Sequence, residues 1–174
     1  MKNKLPKILL GTAVILILFI GFLFVNNDIG LPAAKLEEDI RSSQKIMDDW
    51  SVEGSITDTM AGFISYPQDK ADHTFSVYVN RPGLSFGYFF RGGGDIVGVD
   101  KYITGFTVEG YNEQAFISMN TQQVERIEIN NGNSIQVIEI DSAKPFAIVL
   151  PINAGNIIFY DVNGQEVEYH NNRL

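Results

Sequence analysis

An uninterrupted apolar run near the N-terminus places the strongest constraint on this chain. Ile8 to Val25 is eighteen residues without a charge, preceded by three lysines within the first seven residues. At about 1.5 Å of rise per residue, a helix over this run spans about 27 Å, close to the roughly 30 Å hydrocarbon core of a bilayer. Lipid offers no partner for unpaired backbone groups, so only a helix suits such a segment. The sequence therefore predicts a transmembrane anchor at 8–25.

A cleaved secretory signal is the alternative to an anchor. Signal peptides carry an apolar region of about 7–15 residues followed by a small-x-small cleavage site. The run here is longer, and residues 26–34 contain no convincing site of that kind. We expect an uncleaved anchor and keep two alternatives, a cleaved, secreted protein and a buried helix of a soluble protein. Cysteine is absent, which excludes a lipid-modified N-terminal cysteine.

The charge on either side of the run predicts its orientation. Lys2, Lys4 and Lys7 precede it, and positive charge is retained on the cytoplasmic side of a membrane. We expect residues 1–7 in the cytoplasm and residues 26–174 outside it, in a single-pass arrangement in the cell membrane.

Composition excludes several classes of function for the region that follows. From Leu31 onward the chain has 10 basic and 20 acidic residues, a net charge of −10. Such a surface repels phosphate backbones, so nucleic-acid binding is excluded, and docking onto anionic lipid is disfavoured. The absence of cysteine rules out thiol nucleophiles and thiolate metal sites.

Residues 26–50 read as a linker followed by an amphipathic helix. Apolar residues of the stretch from Ala33 to Met47 recur at helical spacing, and Pro32 suits a helix start. We expect Leu36, Ile40, Met47 and Trp50 to pack on the following domain.

From Ser51 the pattern changes to short apolar runs separated by turn residues, which is typical of β structure. Residues 51–94 form a predicted N-terminal β region with strands at Met60–Ser65, His73–Asn80 and Leu84–Phe90. In the second of these, Phe75, Val77 and Val79 share one face. Gly92-Gly93-Gly94 interrupts the pattern and is the candidate boundary to a C-terminal unit, residues 95–174. Residues 51–94 are either a separate small β unit or additional strands of the same sandwich.

The C-terminal unit has seven strand-like runs. They are Ile103–Glu109, Gln114–Met119, Val124–Ile129, Ser134–Ile140, Pro145–Leu150, Asn156–Asp161 and Gln165–Tyr169. Asn131-Gly132 and Asn163-Gly164 are strong hairpin signals, because tight hairpin turns need residues with positive φ. The predicted fold is mainly β, an immunoglobulin-like β-sandwich over 103–169 with additional N-terminal strands. The disulfide and core tryptophan of immunoglobulin domains are missing, so the analogy concerns architecture alone.

Short segments near the C-terminus carry a resemblance to known proteins. They are Lys144-Pro145-Phe146, Leu150-Pro151, Ala154-Gly155-Asn156 and Tyr160-Asp161-Val162-Asn163-Gly164. Together with the predicted anchor, the chain resembles small single-span, membrane-anchored β-sandwich proteins of Gram-positive bacteria. The resemblance covers general organisation and carries over no catalytic residue.

One strand offers a candidate ligand-binding surface. Phe86, Tyr88 and Phe90 would share a face of the strand at Leu84–Phe90. They are either sandwich core or an aromatic platform for a sugar or peptide, with Arg91 and Tyr111 at its rim. If exposed, they form an apolar patch large enough to need a function.

Other candidate sites have simpler explanations. His73 follows Asp69 and Asp72, but a transition-metal site needs three or four converging ligands, so we expect a solvated loop. The segment beginning at Asp161 lacks the residue order of a calcium loop and reads as a plain turn. Glu166 and Glu168 share a strand face, but sequence cannot place them across a sugar-sized cleft. We therefore predict no catalytic residue, no metal site and no cofactor.

These observations predict a non-enzymatic, membrane-anchored extracytoplasmic protein that binds a protein or polysaccharide of the cell envelope. A carbohydrate- or peptide-binding module using the aromatic strand face is the alternative, and an enzyme built on His73 is the third. The oligomeric state is left open by the sequence.

Overall fold

The computed structural model describes residues 5–25, 28–81 and 86–174, with the side chains of the first helix from Leu9 onward. Three α-helices occur in these residues: α1 at Leu5–Val25, α2 at Leu36–Ser43 and α3 at Val97–Lys101. A 3₁₀ turn at Ala33–Lys35 leads into α2. The remaining regular structure is strand, so the mainly β prediction is confirmed.

Twelve strands follow one another along the described chain. They are β1 Ser51–Ile56, β2 Met60–Tyr66, β3 Thr74–Asn80, β4 Tyr88–Gly94, β5 Ile103–Thr107, β6 Glu113–Ser118, β7 Val124–Asn130, β8 Ile135–Glu139, β9 Phe146–Pro151, β10 Asn156–Asp161, β11 Glu166–Val167 and β12 Tyr169–Arg173.

The strands form three four-stranded sheets. The first sheet is an antiparallel meander in the order β1-β2-β3-β4. The middle sheet has the order β12-β5-β6-β9, in which β12 runs parallel to β5 and the other pairs are antiparallel. The third sheet has the order β11-β10-β7-β8 and is antiparallel throughout.

The three sheets are stacked, and the middle sheet is buried on both faces. Phe106 of β5 faces the first sheet and stacks on Phe75 of β3, with ring centroids 4.4 Å apart. Phe116 of β6 faces the third sheet and contacts Phe159 of β10 at 5.1 Å between centroids. Both faces of a doubly covered sheet need apolar residues, which explains why consecutive residues along β5 and β6 are buried.

Helix α2 covers the other face of the first sheet. Leu36 and Ile40, one helical turn apart, are fully buried against Phe63 and Tyr78. The predicted packing of these two residues is therefore confirmed. The helix ends at Ser43 rather than reaching Met47, which is exposed, because Lys45 adopts a left-handed conformation with φ of 55°.

The glycines at 92–94 do not interrupt the β pattern, so this prediction is wrong. They complete β4 and pair with Val77, Ser76 and Phe75 of β3. The register shifts at Arg91, so the strand continues through a bulge. A β-carbon on Gly93 would lie 2.6 Å from the carbonyl oxygen of Phe75, so close packing requires this glycine. The two β regions share one core cluster, to which the first sheet and the middle sheet both contribute.

Both predicted hairpins are present. The Asn131-Gly132 turn joins β7 to β8, and Asn163-Gly164 joins β10 to β11, with positive φ at Gly132 and Gly164. Asp161 closes the second turn by accepting hydrogen bonds from the backbone amides of Asn163 and Gln165 at 2.9 and 2.8 Å. The predicted strand Gln165–Tyr169 divides at Glu168, so β11 belongs to the third sheet and β12 to the middle sheet.

Helix α1 is apolar on every side. The seven consecutive residues from Val14 to Ile20 are each between 41 % and 69 % exposed, and seven residues cover almost two full turns. Within residues 5–25, 28–81 and 86–174, no helix satisfies the combined requirements of length and apolarity for a membrane span.

The segment after α1 is attached directly to the first sheet. The backbone amide of Phe86 donates to the carbonyl of Asp28, and Gly30 and Leu31 donate to the carbonyls of Phe86 and Tyr88. Ile29 and Leu31 thereby form bridges with the residues that lead into β4. The domain and the end of α1 are thus joined by backbone hydrogen bonds as well as by the chain.

Candidate functional site

The aromatic residues predicted to share a strand face are divided between core and surface. Tyr88 is buried beneath α2, in the cluster that contains Leu36 and Tyr78, and its hydroxyl donates to the carbonyl of Thr57. Burial, with the nearby carboxylates of Asp58 and Glu113, raises the pKa of the Tyr88 hydroxyl. Tyr88 therefore serves packing. Leu84 and Ser85 of the predicted strand lie outside the described residues.

Phe86 and Phe90 are both exposed, by 56 % and 48 %. Phe86 precedes β4 and pairs with Ile29, whereas the ring of Phe90 lies edge-on to Tyr78 at 5.5 Å. Arg91 is exposed at the bulge of β4. These three side chains are accessible to a ligand, but they do not form a platform with Tyr88 because that ring is covered.

Tyr111 does not join this group. It lies in the loop between β5 and β6 and packs against the core cluster between the first and middle sheets. Tyr88 belongs to the cluster on the opposite face of the first sheet. Sequence could not reveal this separation because it depends on which face of the sheet each loop covers.

His73 is buried, which makes the predicted solvated loop wrong. Its Nε2 lies 3.2 Å from Asp95 Oδ1 and 3.3 Å from the carbonyl oxygen of Ile96. Asp69 and Asp72 instead accept hydrogen bonds from backbone amides of their own loop. The residues after β4 fold over the imidazole, a contact that no local pattern indicates.

A groove that the sequence did not reveal lies where the middle and third sheets meet. Its volume is about 550 Å³. It is lined by Tyr102, Gln122, Asp161, Gln165, Glu166, Val167, Glu168 and His170. A volume of this size lies within the range of roughly 300–1,000 Å³ that holds small ligands.

Two rings define the aromatic wall of this groove. Tyr102 and His170 meet edge to face, with centroids 4.8 Å apart and planes at 89°. They are distant in sequence, and the parallel pairing of β12 with β5 brings them together by aligning Tyr169 with Ile103. Because β12 was not predicted as a separate strand, no sequence pattern indicated that Tyr102 and His170 are in contact.

Polar groups complete the groove. Glu166 and Glu168, which sequence could place only on a common strand face, both line it and are exposed. Hydrogen bonds from the amides of Gln165 and Asn163 lower the pKa of Asp161. The groove therefore presents carboxylates and amides beside a tyrosine ring, which are groups that hydrogen-bond and stack on sugars or peptides.

The described part of the chain contains no group of three or more His, Cys, Asp or Glu side chains arranged to hold a metal ion. The turn that begins at Asp161 uses its carboxylate for backbone hydrogen bonds, as a plain turn would.

Comparison with known proteins supplies no relative. The chain matches no protein-family model, no curated protein and no solved structure.

Proposed function

We propose that this protein is a non-enzymatic binding domain tethered to the outer face of the cell membrane by α1. The observation that carries the proposal is an apolar helix that is exposed on all sides over residues 14–20 and is joined by backbone hydrogen bonds to a β domain. A helix that is apolar all round is suited to a protein core or to lipid.

The sequence supports a lipid environment for α1. The predicted span, Ile8–Val25, carries no charged residue over eighteen positions. The lysines at positions 2, 4 and 7 favour a cytoplasmic N-terminus. We also propose that β5–β12 form an immunoglobulin-like β-sandwich, which the stacking of two four-stranded sheets supports.

The groove at Tyr102 and His170 is the proposed ligand site. An exposed tyrosine ring stacks on a sugar face, while Gln122, Glu166 and Glu168 are able to bond hydroxyl or amino groups. A polysaccharide of the envelope offers such sugar faces and hydroxyl or amino groups. A basic peptide is the alternative ligand because the groove is acidic.

The tyrosines with raised pKa values have roles in packing. Burial raises the pKa values of Tyr66, Tyr78 and Tyr88, which lie in the core clusters. The lowered pKa of Asp161 follows from its role in closing a turn. These pKa shifts have structural causes, namely burial in the core and closure of a turn.

A single-cysteine experiment tests the location. Asn133 is exposed in the β7–β8 turn, whereas Asn131 accepts hydrogen bonds from Asn133 and Ser134, so Asn133→Cys is the less disruptive probe. Labelling of Asn133→Cys by an impermeant maleimide on intact cells, with retention in the membrane fraction, is the expected result. The matched control, Asn3→Cys, should react only after lysis.

Two other outcomes contradict the proposal in different ways. Labelled protein in the medium would mean that the N-terminal segment is cleaved. A folded Asn133→Cys protein that reacts only after lysis would place the domain inside the cell.

Binding is tested separately with purified full-length protein in detergent. Retention on envelope polysaccharide should be lost in Tyr102→Ala, since this removes the exposed ring, and kept in Phe90→Ala, which removes a similarly exposed ring elsewhere. Equal retention of both variants and the parent on the polysaccharide would exclude the groove as the binding site. Binding of a basic peptide, without binding of the polysaccharide, would identify the alternative ligand.

A further inference from the structure

We infer that Ile29 and Phe86 form a second membrane contact, inserting into the interfacial layer of the bilayer beside the point where α1 leaves it. We call these two residues the rim. The inference rests on the proposed anchoring by α1 and adds a surface of the β domain that binds lipid.

Hydrogen bonds place the rim next to the end of α1. The amide of Asp28 donates to the carbonyl of Leu23, in the last turn of the helix, at 2.9 Å. The amide of Phe86 donates to the carbonyl of Asp28 at 2.8 Å. Phe86 is therefore two hydrogen bonds from the helix, although it lies far away in sequence. A helix that ends at the membrane surface necessarily brings this residue to that surface.

Further bonds hold the rim in a defined geometry. The amide of Gly30 donates to the carbonyl of Phe86 at 2.5 Å, and Tyr88 and Leu31 exchange hydrogen bonds of 2.7 and 2.9 Å. A β-carbon on Gly30 would lie 2.6 Å from the Tyr88 carbonyl oxygen, so this close approach requires glycine. The rim is built from paired backbone and is not a free loop tip.

The exposure of the rim favours lipid as its partner. Ile29 is 46 % exposed and Phe86 56 % exposed, while Tyr88, two residues further along, is buried. Exposed apolar side chains that backbone hydrogen bonds hold beside the end of an apolar helix find their cover in the same medium as that helix. A protein partner would have to bind at the surface that the anchor itself brings against the bilayer.

Charge around the rim agrees with an interfacial position. The Arg81 guanidinium lies 4.0 Å from Asp28 Oδ1 and 4.0 Å from the centre of the Phe89 ring. Its side chain is about one third exposed (35 %), which suits a cation at the level of lipid phosphates. The domain carries a net charge of −10, so apolar insertion rather than attraction to anionic lipid must hold the rim.

Tryptophan fluorescence of the full-length protein in vesicles tests the inference. Trp50 is the sole tryptophan, so Trp50→Phe provides a silent background. Phe86→Trp in that background should emit at shorter wavelength in vesicles and lose emission when the acyl chains are brominated near the headgroup. Val137→Trp is the matched control, since Val137 is 48 % exposed on β8 of the third sheet, and its emission should be unaffected. Neutral phosphatidylcholine vesicles serve throughout, because the contact is apolar.

Flotation of the same samples separates the two proposals. If the Phe86→Trp protein floats with vesicles while its fluorescence is quenched by aqueous iodide, and not by brominated lipid, the rim is overturned and the anchor stands. Protein that does not float would overturn both. Ile29→Trp provides a second position if Phe86→Trp misfolds, and the same lipid quenching is expected there.

Discussion

The hydroxyl of Tyr78 donates a hydrogen bond of 2.7 Å to Asp39 Oδ2, joining the centre of the first sheet to α2. Tyr78 is completely buried, and its ring also contacts Phe63 and Phe90 edge to face. This polar contact thus links two elements that are far apart in sequence within an apolar layer.

Removal of this bond should measurably destabilise the domain. A hydrogen bond to a charged group contributes about 1.5–3 kcal/mol, so Tyr78→Phe should lower the free energy of unfolding by about that amount. Denaturant unfolding of the full chain in detergent measures it. A double-mutant cycle with Asp39→Ala should give a coupling of similar size, and simple additivity of the two changes would contradict the contact. Tyr102→Phe, on an exposed tyrosine, should be nearly neutral.

Tyr78 should also make stability depend on alkaline pH. Burial first, and then the hydrogen bond to Asp39, raises the pKa of Tyr78 above its ordinary value of 10.0. A raised native pKa means that the stabilisation is fully present below the unfolded pKa of about 10 and is lost as pH rises above it. The parent should lose stability more steeply than Tyr78→Phe above pH 10, as followed by unfolding at successive pH values. Parallel curves would contradict this linkage.

The adjacent glycines Gly92 and Gly93 should respond differently to alanine. A β-carbon on Gly93 meets the Phe75 carbonyl oxygen at 2.6 Å and Gln44 Nε2 at 2.9 Å, so backbone must shift. On Gly92 the nearest atoms are methyl groups of the C-terminal Leu174, which can move. We expect Gly93→Ala to cost about 1–3 kcal/mol of unfolding free energy and Gly92→Ala clearly less. Equal losses would show that the contact with Phe75 does not determine the effect.

Asn120 should be a critical polar residue between the sheets. It is buried; its Oδ1 accepts from the amide of Val124 at 2.7 Å, and its Nδ2 donates to the carbonyls of Val124 and Asp141. Asn120→Ala removes the partner of the buried Val124 amide, whereas the Asp141 carbonyl still accepts from Lys144, so the free energy of unfolding should fall by about 1–3 kcal/mol. Gln123→Ala is the control. Asn120 and Gln123 both have a φ of 55°, but Gln123 is exposed. If neither variant is less stable than the parent, or if both lose the same free energy of unfolding, the role of the Asn120 side-chain hydrogen bonds is refuted.

Much of the local structure followed from short-range patterns. The alternation at Phe75, Val77 and Val79 and the Asn-Gly turns predicted β3 and two hairpins that the structure confirms, because each depends on neighbouring residues. The predicted break at the glycines 92–94 was wrong, since their pairing with β3 depends on distant strand register. The surroundings of His73 likewise depend on a residue distant in sequence. Asp95 lies beside the imidazole because it directly follows the end of β4.

By itself, the sequence determined the mainly β character, the apolar helix at the N-terminus and the acidic charge of the remainder, because composition and local periodicity carry these properties. Tertiary structure alone decided that Tyr102 meets His170, that Tyr88 is buried while Phe86 is exposed, and that Phe86 lies beside the end of α1. The physical reason is that strand pairing and sheet stacking join residues far apart in the chain. No local pattern specifies which face or neighbour each residue will meet.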